Sequence, residues 1–357
     1  MSINASEKQA VKRSGISTGL RLPDLVNRDS NLSRLFIIMV VVFLVMAALK
    51  PNPFLTWRNF SSMAFQMPEF GIMAIAMMAA MLTGGIDLSI VGIANISGIL
   101  AALVMVRFTS QGATAGQDIF VIVLAISVSL VVGIICGLIN GLLISKVEIP
   151  PILATMGTMQ LYMGTAIIIT GGKAVLGFPG SFAAIGNGTV AGFPVPMILF
   201  IIIAVIFSFL FNRSSLGLKL YMMGTNPVAS KFSGINNVTM TVRTYLISGL
   251  LAAISGLIII ARTNSAKADY GTSYTLQAIL VAVMGGVSVN GGFGKIIGII
   301  MAMLTLQFLS SGFNAMHFSN FFKDFIWGAV LIIVMLVNYV SETLKSRARA
   351  RKQETQF

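Results

Sequence analysis

About ten long apolar stretches cover most of this chain, with polar and basic residues confined to the gaps between them. They run over 35–49, 61–83, 89–106, 119–145, 151–170, 194–211, 245–261, 276–289, 296–312 and 325–340. A helix needs about 20 apolar residues to cross the hydrocarbon of a bilayer, and most of these stretches meet that length. The spans at 35–49 and 276–289 are short and read as broken or extended by polar flanks. Only helices and closed barrels satisfy their backbone in lipid. The expected fold is therefore all-α, a polytopic membrane protein of about ten transmembrane helices, some of them broken. Charged residues make up 10% of the chain, against about 25% in a soluble domain. Little sequence is left for a water-soluble catalytic unit.

The net charge of +13 raises the question of nucleic acid, and its distribution answers it. With the N-terminus inside and ten crossings, seven basic residues lie on the far side: Lys50, Arg58, Arg107, Lys173, Arg262, Lys267 and Lys323. The other 17 of the 24 Lys and Arg lie on the near side. Cytoplasmic loops carry such an excess. The reading is a cytoplasmic tail over 1–34, a membrane domain over 35–340 with a cytoplasmic loop near 212–244, and a basic cytoplasmic tail over 341–357. The basic C-tail is a topology and lipid-headgroup signal, and no nucleic-acid partner is expected. No cleavable leader is evident, and 35–49 reads as an uncleaved first span.

Cysteine and histidine occur once each, as Cys136 and His317. One cysteine excludes an internal disulfide and a thiolate metal site, and one histidine gives a histidine-based metal site or catalytic triad almost nothing to build on. No metal site and no bound cofactor are expected. A phosphate-binding loop needs G-x-x-x-x-G-K-[ST]. Gly294-Lys295 is followed by Ile296, and Gly172-Lys173 by Ala174, so the chain does not hold ATP in such a loop.

Two acids lie inside apolar spans. Glu69 follows Pro68, where a helix break is expected. Asp87 sits in Thr83-Gly84-Gly85-Ile86-Asp87-Leu88-Ser89. An ionisable group facing lipid costs several kcal/mol, so Asp87 either caps the helix starting near Leu88 or lines a translocation path beside a backbone break. The sequence is compatible with both. A second break, Gly285 to Lys295, holds five glycines and resembles the first, as an internal repeat does. Gly133, Gly137 and Gly141 form a stripe that admits a neighbouring helix. Trp57 and Trp327 lie near span ends and read as interfacial anchors. In the cytoplasmic loop, Asn226 and Pro227 predict a short helix over 227–233, capped by Asn226 and stopped at Gly234.

In order along the chain, Thr83 to Ser89, Asn140 to Ile144, Ile149 to Met159, Thr170 to Gly172, Gly224 to Ile235 and Gly285 to Gly294 resemble the motifs of the sugar-type permease subunits of bacterial ABC importers. That group includes ribose, galactose and xylose permeases, within the branched-chain-amino-acid/sugar permease superfamily. The sequence departs from the family at Ile90-Val91-Gly92, at Tyr274 to Ala278, which lacks acids, and at Val228.

The resemblance implies a permease subunit in the bacterial inner membrane that translocates a neutral sugar or sugar-like solute. It implies a second permease subunit, identical or related, two cytoplasmic ATPase subunits that use ATP, and a periplasmic sugar-binding protein. Candidate path residues are Gln66, Asp87, Ser89, Asn95, Thr155 and Thr158. Candidate ATPase-coupling residues are Gly224, Asn226, Pro227, Ala229, Ser230 and Gly234. An ion-coupled secondary transporter using Glu69 and Asp87 is the alternative. A membrane-embedded enzyme has no His, Cys or carboxylate cluster to work with.

Overall fold

The structure, a computed structural model, describes residues 30–109 and 115–354. Most of the expected tail 1–34 lies outside the described residues, as do the last residues of the tail 341–357. The described chain folds into fourteen helices and four two-residue strands.

Each apolar stretch becomes one helix. They are α1 (Ser30–Leu49), α3 (Trp57–Leu82), α4 (Ile90–Phe108), α5 (Ala115–Ser145), α6 (Pro151–Thr170), α8 (Val195–Arg213), α11 (Asn237–Thr263), α12 (Tyr274–Met284), α13 (Ile296–Ala315) and α14 (Asn320–Glu354). Short helices α2 (Pro51–Phe54), α7 (Gly180–Asn187), α9 (Ser215–Thr225) and α10 (Pro227–Phe232) lie between them. Among the described residues nine helices are long and apolar enough to cross a membrane, and Tyr274–Met284 is apolar but short. The short span expected at 276–289 is thus a half-length helix completed by a glycine-rich loop. Helix α14 runs on through the expected basic tail to Glu354.

Local chemistry sets the ends. Pro151 opens α6, and Gly171 closes it at φ 60°, the proline-first, glycine-last arrangement that helices favour. The Thr56 hydroxyl caps α3 by accepting the Asn59 N–H, and the Asn236 side chain caps α11 through the Thr239 N–H.

The bundle has an inner and an outer set. Helix α3 is buried continuously from Met67 to Leu82, enclosed by α4, α8, α11, α12 and α13. Helices α4 and α11 are buried over most of their length. Helices α1, α5, α6, α8 and α14 turn large apolar side chains outward, among them Ile37, Ile135, Ile168, Phe209 and Leu336. That is the surface a hydrocarbon solvent requires. Close packing lies where the glycine stripe predicts it. A Cβ at Gly133 would strike the Gly249 carbonyl, and one at Gly137 the Tyr245 carbonyl, so α5 and α11 meet backbone to backbone. Removing the side chains at a helix crossing is what allows this approach.

At one end of the bundle, β1 (Val175–Leu176) pairs antiparallel with β4 (Ser265–Ala266), while β2 (Thr189–Val190) and β3 (Phe193–Pro194) form a hairpin. At that same end, Asn187 at the close of α7 donates to the Ala261 and Arg262 carbonyls. The opposite end carries α9, α10 and both glycine breaks.

Candidate functional site

Helix α3 stops because Gly84 adopts φ +81°. The Gly84 N–H returns to the Met81 carbonyl and the Gly85 N–H to the Ala80 carbonyl, at 2.9 and 3.1 Å. This left-handed glycine cap satisfies the terminal carbonyls and reverses the chain. The turn carries Asp87 into the bundle, where it is fully buried. Its Oδ1 accepts the Ser89 N–H at 3.0 Å and the Ser89 hydroxyl at 2.6 Å. Its Oδ2 accepts the Ser248 hydroxyl of α11 at 2.6 Å. Asn140 of α5 donates to Ser89 Oγ at 2.7 Å. Thr155 Oγ1 of α6 accepts the Leu88 N–H at 3.1 Å and lies 3.0 Å from the Ile86 carbonyl.

One break is therefore held by three helices, α11 through the carboxylate, α5 through Ser89 and α6 through the backbone of Ile86 and Leu88, and the carboxylate is served only by neutral donors. A buried polar group of this kind is stabilised by completing its hydrogen bonds. Helix α4 begins at Ile90 with Ser89 as its N-cap residue. The expected helix-capping role of Asp87 is accordingly corrected. Asp87 holds the turn that precedes the helix, because its oxygens are taken by Ser89 and Ser248 before any first-turn amide is reached.

The six candidate path residues do not converge. Asp87, Ser89 and Thr155 share the first break, and the Thr158 hydroxyl bonds within its own helix to the Thr155 carbonyl. Asn95 of α4 donates to the Ala268 and Tyr270 carbonyls at 2.8 and 2.9 Å, fixing the loop before α12. Gln66 lies elsewhere, on the wall of a small cavity between α3, α12, α13 and α14.

Two further expectations are corrected. Helix α3 runs through Pro68 without a break. The fully buried Glu69 beside it is gripped by the Arg262 guanidinium through Nε to Oε1 and Nη2 to Oε2. The Tyr274 hydroxyl donates to Oε2 at 2.7 Å, and Ser255 donates to the Glu69 carbonyl. A forked, hydrogen-bonded pair of this kind leaves no free carboxylate. Arg262 falls one residue beyond the stretch 245–261, where it reads as a loop cation. The signal that finds it is the unpaired acid itself, since a carboxylate inside a span demands a partner. Trp327 also departs from the anchor expectation. It is 2% exposed and packs 6.1 Å from the Phe313 ring.

The second break opens as the first does. Gly286 stands at φ +81°, with the Gly286 N–H on Val283 and the Val287 N–H on Ala282 at 3.1 and 3.0 Å. It then reaches across the bundle. The Gly292 N–H donates to the Leu82 carbonyl, the last of α3, at 3.0 Å. The Tyr221 hydroxyl of α9 donates to the Gly294 carbonyl at 2.6 Å. A Cβ at Gly224 would collide with the Leu82 carbonyl and the Gly292 nitrogen. A Cβ at Gly291 would sit 2.8 Å from the Gly84 nitrogen and 2.9 Å from the Gly224 carbonyl. Both breaks and the end of α9 thus meet as bare backbone.

The next residues build the expected cytoplasmic-loop helix. Asn226 Oδ1 accepts the Val228 and Ala229 N–H groups, each at 3.0 Å, with Pro227 at the first helical position. The helix ends at Phe232, and Gly234 at φ +77° returns the Ile235 N–H to the Ser230 carbonyl. Ser230 is buried and lies 2.9 Å from Asn237 Oδ1. Val228 and Phe232 project outward, 66% and 89% exposed.

Residues 59–335 match the family described as branched-chain amino acid transport system / permease component. The ribose import permease of Bacillus subtilis (strain 168) is 35% identical over 305 residues, which is 85% of this chain and 91% of the relative. The autoinducer 2 import system permease of Enterobacter sp. (strain 638) is 30% identical over 311 residues, covering 85% and 90%. The D-allose transport system permease of Escherichia coli (strain K12) is 29% identical over 303 residues, with the same coverage. No solved structure matches the chain.

Proposed function

The chain belongs to the branched-chain amino acid transport system / permease component family, and from that membership we propose that it is the membrane-spanning subunit of an ATP-driven importer for a neutral sugar. Relatives named for ribose and allose import, matched over most of their length, support the substrate class. The scarcity of charge inside the bundle supports a neutral solute. Glu69 is occupied by Arg262 and Asp87 by serine donors, which weighs against ion coupling through these two acids.

In this reading the protein sits in the inner membrane with both termini in the cytoplasm. It pairs with a second permease subunit, identical or related, receives sugar from a periplasmic binding protein, and is driven by two cytoplasmic ATPase subunits. Helix α10 is the docking element, its apolar tip formed by Val228 and Phe232. Gly224, Asn226, Pro227, Ala229, Ser230 and Gly234 shape and anchor it.

A push on α10 passes through the Asn226 turn to Gly224, and from there to Leu82 and Gly291. It reaches the ends of α3 and the α12 loop together. ATP binding shifts the access equilibrium only so far as the ATPases hold one state more tightly than the other. The backbone contact of Gly224 with both breaks is the observation that carries this mechanism.

The test is reconstitution in proteoliposomes with the ATPase and the binding protein. Sugar-dependent ATP hydrolysis and uptake that survive ionophores are expected. Uptake by the chain alone, abolished by collapsing a sodium or proton gradient, overturns the proposal.

A further inference from the structure

Between α3, α12, α13 and α14 lies a cavity of about 90 Å³ lined by Gln66, Tyr274, Gln277, Gln307, Ser310 and Trp327. It is placed well inside the bundle. Gln66 is the tenth residue of α3 and Trp327 the eighth of α14. At 1.5 Å per residue, that sets these two residues roughly 10–14 Å from the nearer ends of their helices, while Tyr274 and Gln277 stand in the first turn of the half-length α12. Three carboxamides at such a depth are costly unless something pairs with them.

The protein pairs with them poorly. Gln307 is 3% exposed, and its side-chain carboxamide makes no hydrogen bond to any described residue. Gln66 donates to Ser62 at 2.9 Å, which leaves its carbonyl free. The Gln277 amide reaches only a 3.5 Å contact with Ser273. The indole N–H of the buried Trp327 donates to no described residue, although a buried indole usually finds an acceptor. The Tyr274 hydroxyl is engaged on Glu69, so its ring, rather than its oxygen, is left to face the cavity.

We infer that this cavity is a binding subsite for the hydroxyl-bearing edge of a neutral polyol, a proposal that rests on the sugar-importer reading for its place in transport. Each carboxamide offers both an acceptor and donors, which matches a hydroxyl that gives one hydrogen and takes another. Trp327 and Tyr274 supply flat apolar walls for the C–H face of a sugar. No charged side chain lines the cavity, so neither the ammonium nor the carboxylate of an amino acid finds a partner there. With about 30 Å³ per water, the volume suits a few waters or one edge of a sugar ring. The subsite therefore takes part of a solute held against α3, α12 and α13.

The chain carries its own reporter. Its two tryptophans are Trp57, 81% exposed at the start of α3, and Trp327 on the cavity wall. In full-length Trp57→Phe protein in nanodiscs, Trp327 emission is followed against D-ribose, D-glucose and glycerol, with leucine as the zwitterionic control. A saturable change with at least one polyol and none with leucine is expected. The midpoint should rise tenfold or more in Gln307→Leu and less than threefold in Gln307→Asn. Gln277→Leu provides the same readout if Gln307→Leu does not fold. A flat response to every polyol, an equal response to leucine, or unchanged midpoints in the leucine variants overturns the subsite. Sugar-stimulated ATP hydrolysis by the assembled importer separates the two claims. Normal stimulation with a silent Trp327 removes the subsite alone, whereas a responsive Trp327 without any stimulation removes the importer reading and leaves the binding.

Discussion

After Leu82 the chain leaves α3 through Gly84, and after Met284 it leaves α12 through Gly286, both at φ +81°. Beyond those glycines the two breaks diverge. The first turns a carboxylate inward and ties it to Ser89 and Ser248, with Asn140 and Thr155 bracing the same turn. The second carries no buried carboxylate, and Tyr221 of α9 reaches it with a side-chain hydroxyl. Its Ser288 hydroxyl accepts only the nearby Asn290 N–H, and its long-range bonds run through the backbone of Gly292 and Gly294. One break is fastened by side chains to three neighbouring helices. The other rests through its own backbone on the Leu82 carbonyl of α3 and on the Tyr221 hydroxyl of α9. A joint of the second kind is cheaper to rearrange, since few buried polar groups are stranded when it moves. It is also the joint that touches the end of α9.

Four substitutions break or sharpen this contrast, in descending order of effect. Asp87→Leu strands the Ser89 and Ser248 hydroxyls and is expected to cost about 3 kcal/mol. A detergent unfolding midpoint equal to the parent would show that the first break is not locked as described. Gly291→Ala forces a side chain into a left-handed residue pressed between Gly84 and Gly224, at about 2 kcal/mol. Here ATP-driven uptake should fall at least tenfold while the inserted amount holds, and retained coupling would remove the backbone junction from the mechanism. Asn226→Ala loses the cap of α10 at about 1 kcal/mol, and hydrolysis should persist with reduced uptake. Co-purification of the ATPase at parental yield, with full transport, would count against α10 as the docking element. Ser288→Ala should change stability by less than about 0.5 kcal/mol. A large loss there would mean that Ser288 locks the second break after all.

The sequence makes visible whatever depends on neighbours along the chain. Ten apolar stretches give ten helices, both glycine clusters mark real breaks, and Asn226-Pro227 starts a helix that Gly234 follows in a left-handed turn. The glycine stripe at 133, 137 and 141 announces a close crossing, though not its partner, α11. Contacts between distant residues are invisible at that level. Arg262 meets Glu69 across 193 residues, and Ser248 meets Asp87 across 161. Pro68 looks like a break in isolation, yet tertiary packing on every side of α3 keeps its helix continuous. Trp327 reads as an interfacial ring because its position along the chain says nothing about Phe313 beside it. The candidate path residues fall into separate groups for the same reason. Their polarity is legible, but the helix faces that would bring them together are set by packing.

Helix α3 is the least apolar of the nine long helices and the one its neighbours enclose most completely. During synthesis it emerges well before α11, which supplies Ser255 and Arg262 for its Glu69. Until then it carries an uncompensated acid. Burying that acid in lipid without its partner costs a few kcal/mol, a cost relieved only when Arg262, 193 residues later, has been made. Assembly of the protein is in this sense retroactive, its earliest central element gaining the partner of its buried acid only once a late one arrives.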